Sequence, residues 1–287
     1  MGKRIFLFLV TNIAIVITLS FVLGLLGVDR YTGDMRGLMV FCLVWGMGGA
    51  FISLLISRWM AKRATGLTLV DGRTGRPELD WLYQTIERQA RQANLPMPEV
   101  GVYESPEVNA FATGPSKSRS LVAVSTGLLR SMRQDEIEGV LAHEMAHIAN
   151  GDMVTMTLLQ GIVNAFAMFL ARIIAMAMQR RDDDSRHGPN PFVVMMIEMV
   201  LMIFGTMITA WFSRQREFRA DRGGAELAGR ERMVAALRRL QASHQLVDPN
   251  QPALATMKIS GVPSWMALFS THPPLEVRIA ALERTRV

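Results

Sequence analysis

His143-Glu144-Met145-Ala146-His147 is the stretch that decides how the chain reads. In an α-helix residues i and i+4 share a face, so both imidazoles point the same way. Two neutral imidazoles make half of a tetrahedral zinc site, and Glu144, beside the first histidine, can reach a water on the metal. The competing reading is a surface helix with two solvated histidines. A further ligand elsewhere in the chain decides between them.

The flanks supply the helix that the motif needs. Ser131-Met132-Arg133-Gln134 fits a capping box that opens it, with Ile137, Val140, Leu141 and Met145 on its buried side. Asn150 and Asp152 close it, where capping explains them as well as chemistry does. Further upstream, residues 77–94 read as an amphipathic helix with Pro77 in its first turn and Leu82, Ile86, Ala90 and Ala93 as its apolar stripe. Residues 99–104, 108–113 and 121–125 read as short strands, with Gly114-Pro115-Ser116 as a turn. These predict a small, mostly antiparallel sheet.

Outside this region the chain becomes apolar. Half of its 287 residues are hydrophobic, aromatics are only 7%, and mean hydropathy is +0.22, a balance that favours lipid-facing helices over a large aromatic core. Residues 5–26 carry no charge and follow Lys3 and Arg4. The run is too long for a signal-peptide core and lacks a small-residue cleavage site, so it reads as an uncleaved span. Residues 38–56 form a second span, with Gly46, Gly48 and Gly49 permitting close helix contact and Trp59, Lys62 and Arg63 anchoring its end.

Runs at 153–178 and 192–212 are also long enough to cross. Each holds one ionisable residue, Arg172 and Glu198, at similar depth in an antiparallel hairpin. They either pair or snorkel to the near interface. Soluble helices are expected at 230–242 and 275–282.

The net charge of +6 flanks these apolar runs, as positive-inside topology requires. It lacks the aromatic interleaving of a nucleic-acid groove, and no nucleic-acid partner is expected. Both termini and the motif are placed in the cytoplasm. The single cysteine, Cys42, excludes an internal disulfide and a cysteine zinc cage. Any zinc site must use histidine and carboxylate.

The best third ligand is Glu217, in Ser213-Arg214-Gln215-Arg216-Glu217-Phe218-Arg219-Ala220-Asp221, just after the last apolar run. Asp221 is one helical turn on, placed to accept the free N–H of a ligand histidine. By itself this spacing also describes a solvated charged face.

Taken together, these segments resemble the HtpX family of membrane zinc metalloproteases. The resemblance rests on His143–Asp152, Arg216–Asp221 and Thr271-His272-Pro273-Pro274-Leu275, with Asn109-Ala110-Phe111-Ala112-Thr113-Gly114 and the run 121–129. It covers nearly the whole chain and implies a gluzincin endopeptidase of the bacterial cytoplasmic membrane. One Zn2+ would sit on His143, His147 and Glu217, with Glu144 as general base. It places oxyanion stabilisation on His272 and support of the site on Arg278. For these two, a helix neighbour and a surface charge are the alternatives.

The resemblance also makes Asn109, Ala110, Phe111 and Ala112 a substrate-binding edge strand, where sheet interior and turn is the alternative. It implies action on damaged or misfolded membrane proteins, or unfolded polypeptides, as quality control under stress. The rival class is a non-catalytic membrane chaperone or scaffold with a structural zinc.

The expected fold is mainly α: four transmembrane helices plus a cytoplasmic α+β zincin-like (gluzincin) catalytic domain with a small antiparallel sheet. The expected organisation is an N-terminal hairpin (1–60), a catalytic part with the motif (61–152), a second hairpin (153–212) and a helical catalytic part with the third ligand (213–287).

Overall fold

Leu121-Val122-Ala123-Val124-Ser125 is buried at every position, as a strand covered on both faces must be. The computed structural model describes residues 35–179, 189–245 and 266–284. In order, the elements are α1 (Met35–Thr65), β1 (Thr68–Val70), α2 (Pro77–Gln92), β2 (Glu99–Tyr103), β3 (Ala110–Thr113), β4 (Leu121–Ser125), α3 (Thr126–Ser131), α4 (Gln134–Asn150), α5 (Asp152–Gln179), α6 (Pro191–Ala228), α7 (Arg230–Gln245) and α8 (Leu275–Arg284). Short 3-10 turns lie at Lys117–Arg119 and Met266–Phe269.

The sheet runs β1-β2-β4-β3 and is mixed, which corrects the antiparallel expectation. β1 and β2 pair antiparallel, as do β3 and β4, but β2 and β4 are parallel, with Glu99 opposite Leu121 and Tyr103 opposite Ser125. The chain reverses twice between them. It runs down β3 at the edge, turns at Gly114, and returns as β4 between β3 and β2. Gly114 has φ +143°, and a side chain there would collide with the Arg119 carbonyl, so the turn requires glycine.

Helices α2 and α4 supply most of the core. Leu82 and Ile86 of α2 meet Val100, Val122 and Val124 of the sheet and Leu141, Met145 and Ile148 of α4. Gln89, buried on the same face of α2, donates to the Glu138 carbonyl of α4 at 3.0 Å. The helix stops at Gln92, short of the expected end, and Asn94 takes the left-handed conformation with φ 52°.

A short helix, α3, is an addition to the sequence reading. The Ser125 hydroxyl caps it, accepting from the Leu128 N–H at 3.0 Å. Ser131 therefore ends α3 rather than opening the motif helix. That helix starts two residues later than the capping-box reading requires. Its N-terminus is satisfied by Glu136, whose carboxylate accepts from the Arg133 N–H at 2.8 Å.

The chain divides into two compact units, Ser53–Met156 with Trp211–Val287, and Met1–Ile52 with Thr157–Ala210. The first holds the sheet and the motif. In the second, apolar lengths of α1, α5 and α6 pack together, and each of these helices is long and apolar enough to cross a membrane. The expected span at 5–26 lies outside the described residues, so three of the four stand here. Helix α6 also runs past the expected end at 212, continuing to Ala228.

Of the three glycines read as contact points, Gly46 meets the Ala165 backbone, while Gly48 and Gly49 have nothing close to them among the described residues. Arg172 and Glu198 lie together, with Nη1 3.9 Å from Oε2 and Glu198 1% exposed. Arg172 also donates to the Met168 carbonyl at 2.9 Å.

Candidate metal centre

The motif helix is held against α6 by small residues. A side chain at Gly224 would lie 2.9 Å from Met233 Sδ and 3.1 Å from His143 N, and one at Gly223 would lie 3.0 Å from Ala146 Cβ. This close approach lets the Glu217 carboxylate, one to two turns earlier on α6, reach both motif histidines. The sequence reading passed over Gly223-Gly224; a glycine pair inside a helical pattern was the available signal.

The three expected ligands meet. His143 Nε2 is 3.1 Å from His147 Nε2, His143 Nε2 is 3.4 Å from Glu217 Oε2, and His147 Nε2 is 3.4 Å from Glu217 Oε1. Ligand atoms at 2.0–2.1 Å from a tetrahedral ion stand roughly 3.3–3.4 Å apart, so the edges of the group match such a site. Glu217 is fully buried, and among the described residues its Oε2 is approached by His272 and Arg278 without an aligned hydrogen bond from either. A buried carboxylate oxygen left this way is costly unless a cation completes it.

The far nitrogen of each ring is already occupied. His143 Nδ1 is 3.0 Å from Asp221 Oδ1, and His147 Nδ1 is 2.6 Å from Asp152 Oδ2. A carboxylate on Nδ1 fixes the proton there and turns the Nε2 lone pair towards the metal position. Asp221 is where the sequence reading put it. For Asp152, which capping and chemistry explain equally well in the sequence, the contact with His147 adds a partner beyond capping; it is the first residue of α5 and 3% exposed. Gly151, left-handed at φ 68°, turns the chain back so that a residue five positions on reaches its histidine.

Arg278 is buried and bidentate on Asp221, with Nη2 2.6 Å from Oδ1 and Nε 2.8 Å from Oδ2. Its Nη1 is 3.4 Å from Glu217 Oε2. It thus braces the carboxylate that braces His143. His272 is half exposed, and its Nδ1 lies 2.9 Å from Glu217 Oε2. Glu144 is partly buried on α4, between the two histidines in sequence.

Asn109 precedes β3 and donates from Nδ2 to the Tyr103 hydroxyl at 2.8 Å. Ala110, Phe111 and Ala112 lie in β3, which pairs with β4 on one side, forms an edge of the sheet, and lies against α4.

The charges favour a cation. Burial works against protonated His143, but the Asp221 and Glu217 carboxylates outweigh it and push its pKa up to about 9. Burial likewise opposes protonated His147, and Asp152 and Glu217 raise it. Burial would raise Glu217, yet the three surrounding histidines hold it well below the usual carboxylate range. With both imidazoles neutral, the buried carboxylates of Asp152, Glu217 and Asp221 outnumber the buried guanidinium of Arg278 by two, the charge that a divalent cation neutralises, while the partly exposed Arg216 lies 3.3 Å from Glu217 Oε1.

Comparison with known proteins agrees with this geometry. Peptidase family M48 matches residues 78–286. Protease HtpX of Idiomarina loihiensis is 53% identical over 291 residues, covering 99% of this chain and all of that one. Protease HtpX of Stenotrophomonas maltophilia is 51% identical over 293 residues, covering both chains fully. The crystal structure of S. mikatae Ste24p shares the fold at TM-score 0.66 and 21% identity, over 96% of this chain and 66% of that chain.

Fold and family define a membrane metalloprotease, and His143, His147 and Glu217 form a group that could hold its metal ion. The zincin architecture is that of Ste24p. The chain belongs to the HtpX proteases of peptidase family M48.

Proposed function

We propose that the protein is a zinc endopeptidase of the bacterial cytoplasmic membrane. In this reading it cleaves damaged or misfolded membrane proteins at the cytoplasmic face, as quality control under stress. The observation that carries the peptidase chemistry is the convergence of His143, His147 and Glu217, with a carboxylate behind each imidazole. Zinc bound there would act as a Lewis acid on the scissile carbonyl and bring the pKa of a water towards ~7.

The chain's own residues do the rest. Glu144 accepts the proton of the attacking water and later passes it to the leaving amine. His272, beside Glu217 and open to solvent, donates to the developing oxyanion. Arg278 and Asp221 hold His143 in orientation while charge moves. The outer edge of β3, unpaired among the described strands, adds an extended substrate as a further strand, with Asn109 at its start to hold a backbone group.

The cytoplasmic assignment is supported by the cations that follow apolar helix: Lys62 and Arg63 on α1, and Arg214, Arg216, Arg219 and Arg222 on α6.

The test uses inverted membrane vesicles, whose cytoplasmic face is outward, containing the protease and a model multi-pass substrate. A destabilised substrate is expected to be cut faster than its stable parent, and a membrane-impermeant chelator should stop cleavage. Equal cleavage of both substrates would contradict the quality-control role. Cleavage untouched by the chelator would contradict the cytoplasmic site.

A further inference from the structure

His272 is 52% exposed, yet an oxyanion donor must be held in place, because a misplacement of about 1 Å costs roughly 100-fold in rate. Among the described residues leading to it, 266–271, the backbone is gripped from α6. Arg214, on α6 one turn before Glu217, donates from Nη1 to the Ser270 carbonyl at 2.8 Å and to the Leu268 carbonyl at 3.3 Å. The Ser270 hydroxyl in turn donates to the His272 carbonyl at 2.7 Å. The helix that carries the ligand carboxylate therefore also carries the guanidinium that grips the His272 segment.

We propose that Arg214 is a positioning residue for the hydrolytic step: it clamps residues 268–272 to α6 so that His272 stays beside Glu217. The proposal rests on the reading of His272 as the oxyanion donor. The chemistry fits the residue type. Two carbonyls converge on one guanidinium nitrogen, charge-assisted bonds to carbonyls are the stronger kind, and a guanidinium stays charged at every working pH. Because Arg214 and Glu217 stand one turn apart on the same helix, the clamp fixes the distance between His272 and the ligand directly.

The test compares Arg214→Gln, Arg214→Lys, Ser270→Ala, His272→Phe and the double variant Arg214→Gln/His272→Phe. All are full-length protein in detergent, loaded with zinc. Peptide hydrolysis, bound zinc and hydrogen exchange of the 266–272 amides are measured on each.

The expected result for Arg214→Gln is kcat down roughly 10–100-fold with KM and zinc content kept and faster exchange across 266–272. Arg214→Lys, which keeps a cationic donor, recovers most of the rate. His272→Phe falls about 10²–10³-fold, and the double variant falls no further, since Arg214 acts through His272. Ser270→Ala shows the same pattern in milder form and serves if Arg214→Gln does not fold.

Normal kcat in Arg214→Gln, a double variant that falls by the product of the two losses, or zinc loss in Arg214→Gln each overturns the clamp. Full activity in His272→Phe instead removes His272 from the reaction, and with it the ground for the proposal.

Discussion

Asp152 Oδ2 stands 2.6 Å from His147 Nδ1, across a left-handed glycine that ends the helix carrying the histidine. Asp221 does the same for His143 at 3.0 Å, from a position 78 residues later in the chain. The two imidazoles are thus oriented by carboxylates of different origin, one local and one distant.

Asp152→Asn is expected to weaken zinc binding 10–100-fold, the usual effect of removing such a partner, while leaving all three ligands in place. Competition with a chromophoric chelator measures it. An unchanged affinity would return Asp152 to the role of a helix terminus.

Metal binding should release protons. With a pKa of about 9, His143 holds a proton at pH 7 in the absence of metal, and zinc must displace it. The sign follows from a folded value raised above the unfolded one near ~6.5. The proton's contribution to the metal-free fold is complete below about pH 6.5 and is lost as pH rises through about 9. Zinc affinity moves the other way, rising across that window and then flattening. Calorimetric titration in buffers of different ionisation heat should show close to one proton released from His143 at pH 7, plus any from His147. A buffer-independent heat would contradict this.

Gly224→Ala tests the contact between the motif helix and α6. A methyl 2.9 Å from Met233 Sδ displaces that flexible side chain, and at 3.1 Å from His143 N the motif-helix backbone must give by a few tenths of an ångström. Overpacking of this kind costs about 1–3 kcal/mol, and here it should also loosen zinc. Gly223→Ala meets only Ala146 Cβ, at 3.0 Å, and should do less harm. Thermal unfolding with and without zinc ranks the two; equal, negligible shifts would mean that the helices have room.

Arg172 and Glu198 lie within apolar helices, where an isolated charge costs ~2.5–3.5 kcal/mol on insertion scales. Arg172→Glu or Glu198→Arg alone should lower the amount of folded protein in the membrane. The exchanged pair should recover most of it. A double variant as poor as either single would show that the 3.9 Å approach contributes nothing.

The reach of the sequence can be judged residue by residue. His143, His147, Glu217 and Asp221 were legible because each pair sits four apart on a helix, so periodicity alone puts both members on one face. Asp152 was not, because five residues is a rotation of about 140°, away from the histidine, and only the turn at Gly151 undoes it. β1 is three residues long, too short for any alternation to register. The parallel pairing of β2 with β4 depends on which strand the returning chain inserts beside, and neither strand records that locally. Arg278 reads equally as a surface charge or a site residue until the fold buries it against Asp221.

The most direct measurement is digestion of casein by detergent-solubilised protein in three forms: zinc-loaded, stripped with chelator, and zinc-loaded Glu144→Gln. Only the first should digest, zinc should restore the second, and the third should bind one zinc per chain without cutting. Equal digestion by all three would contradict it, and loss of zinc in Glu144→Gln would make Glu144 a ligand in place of the base.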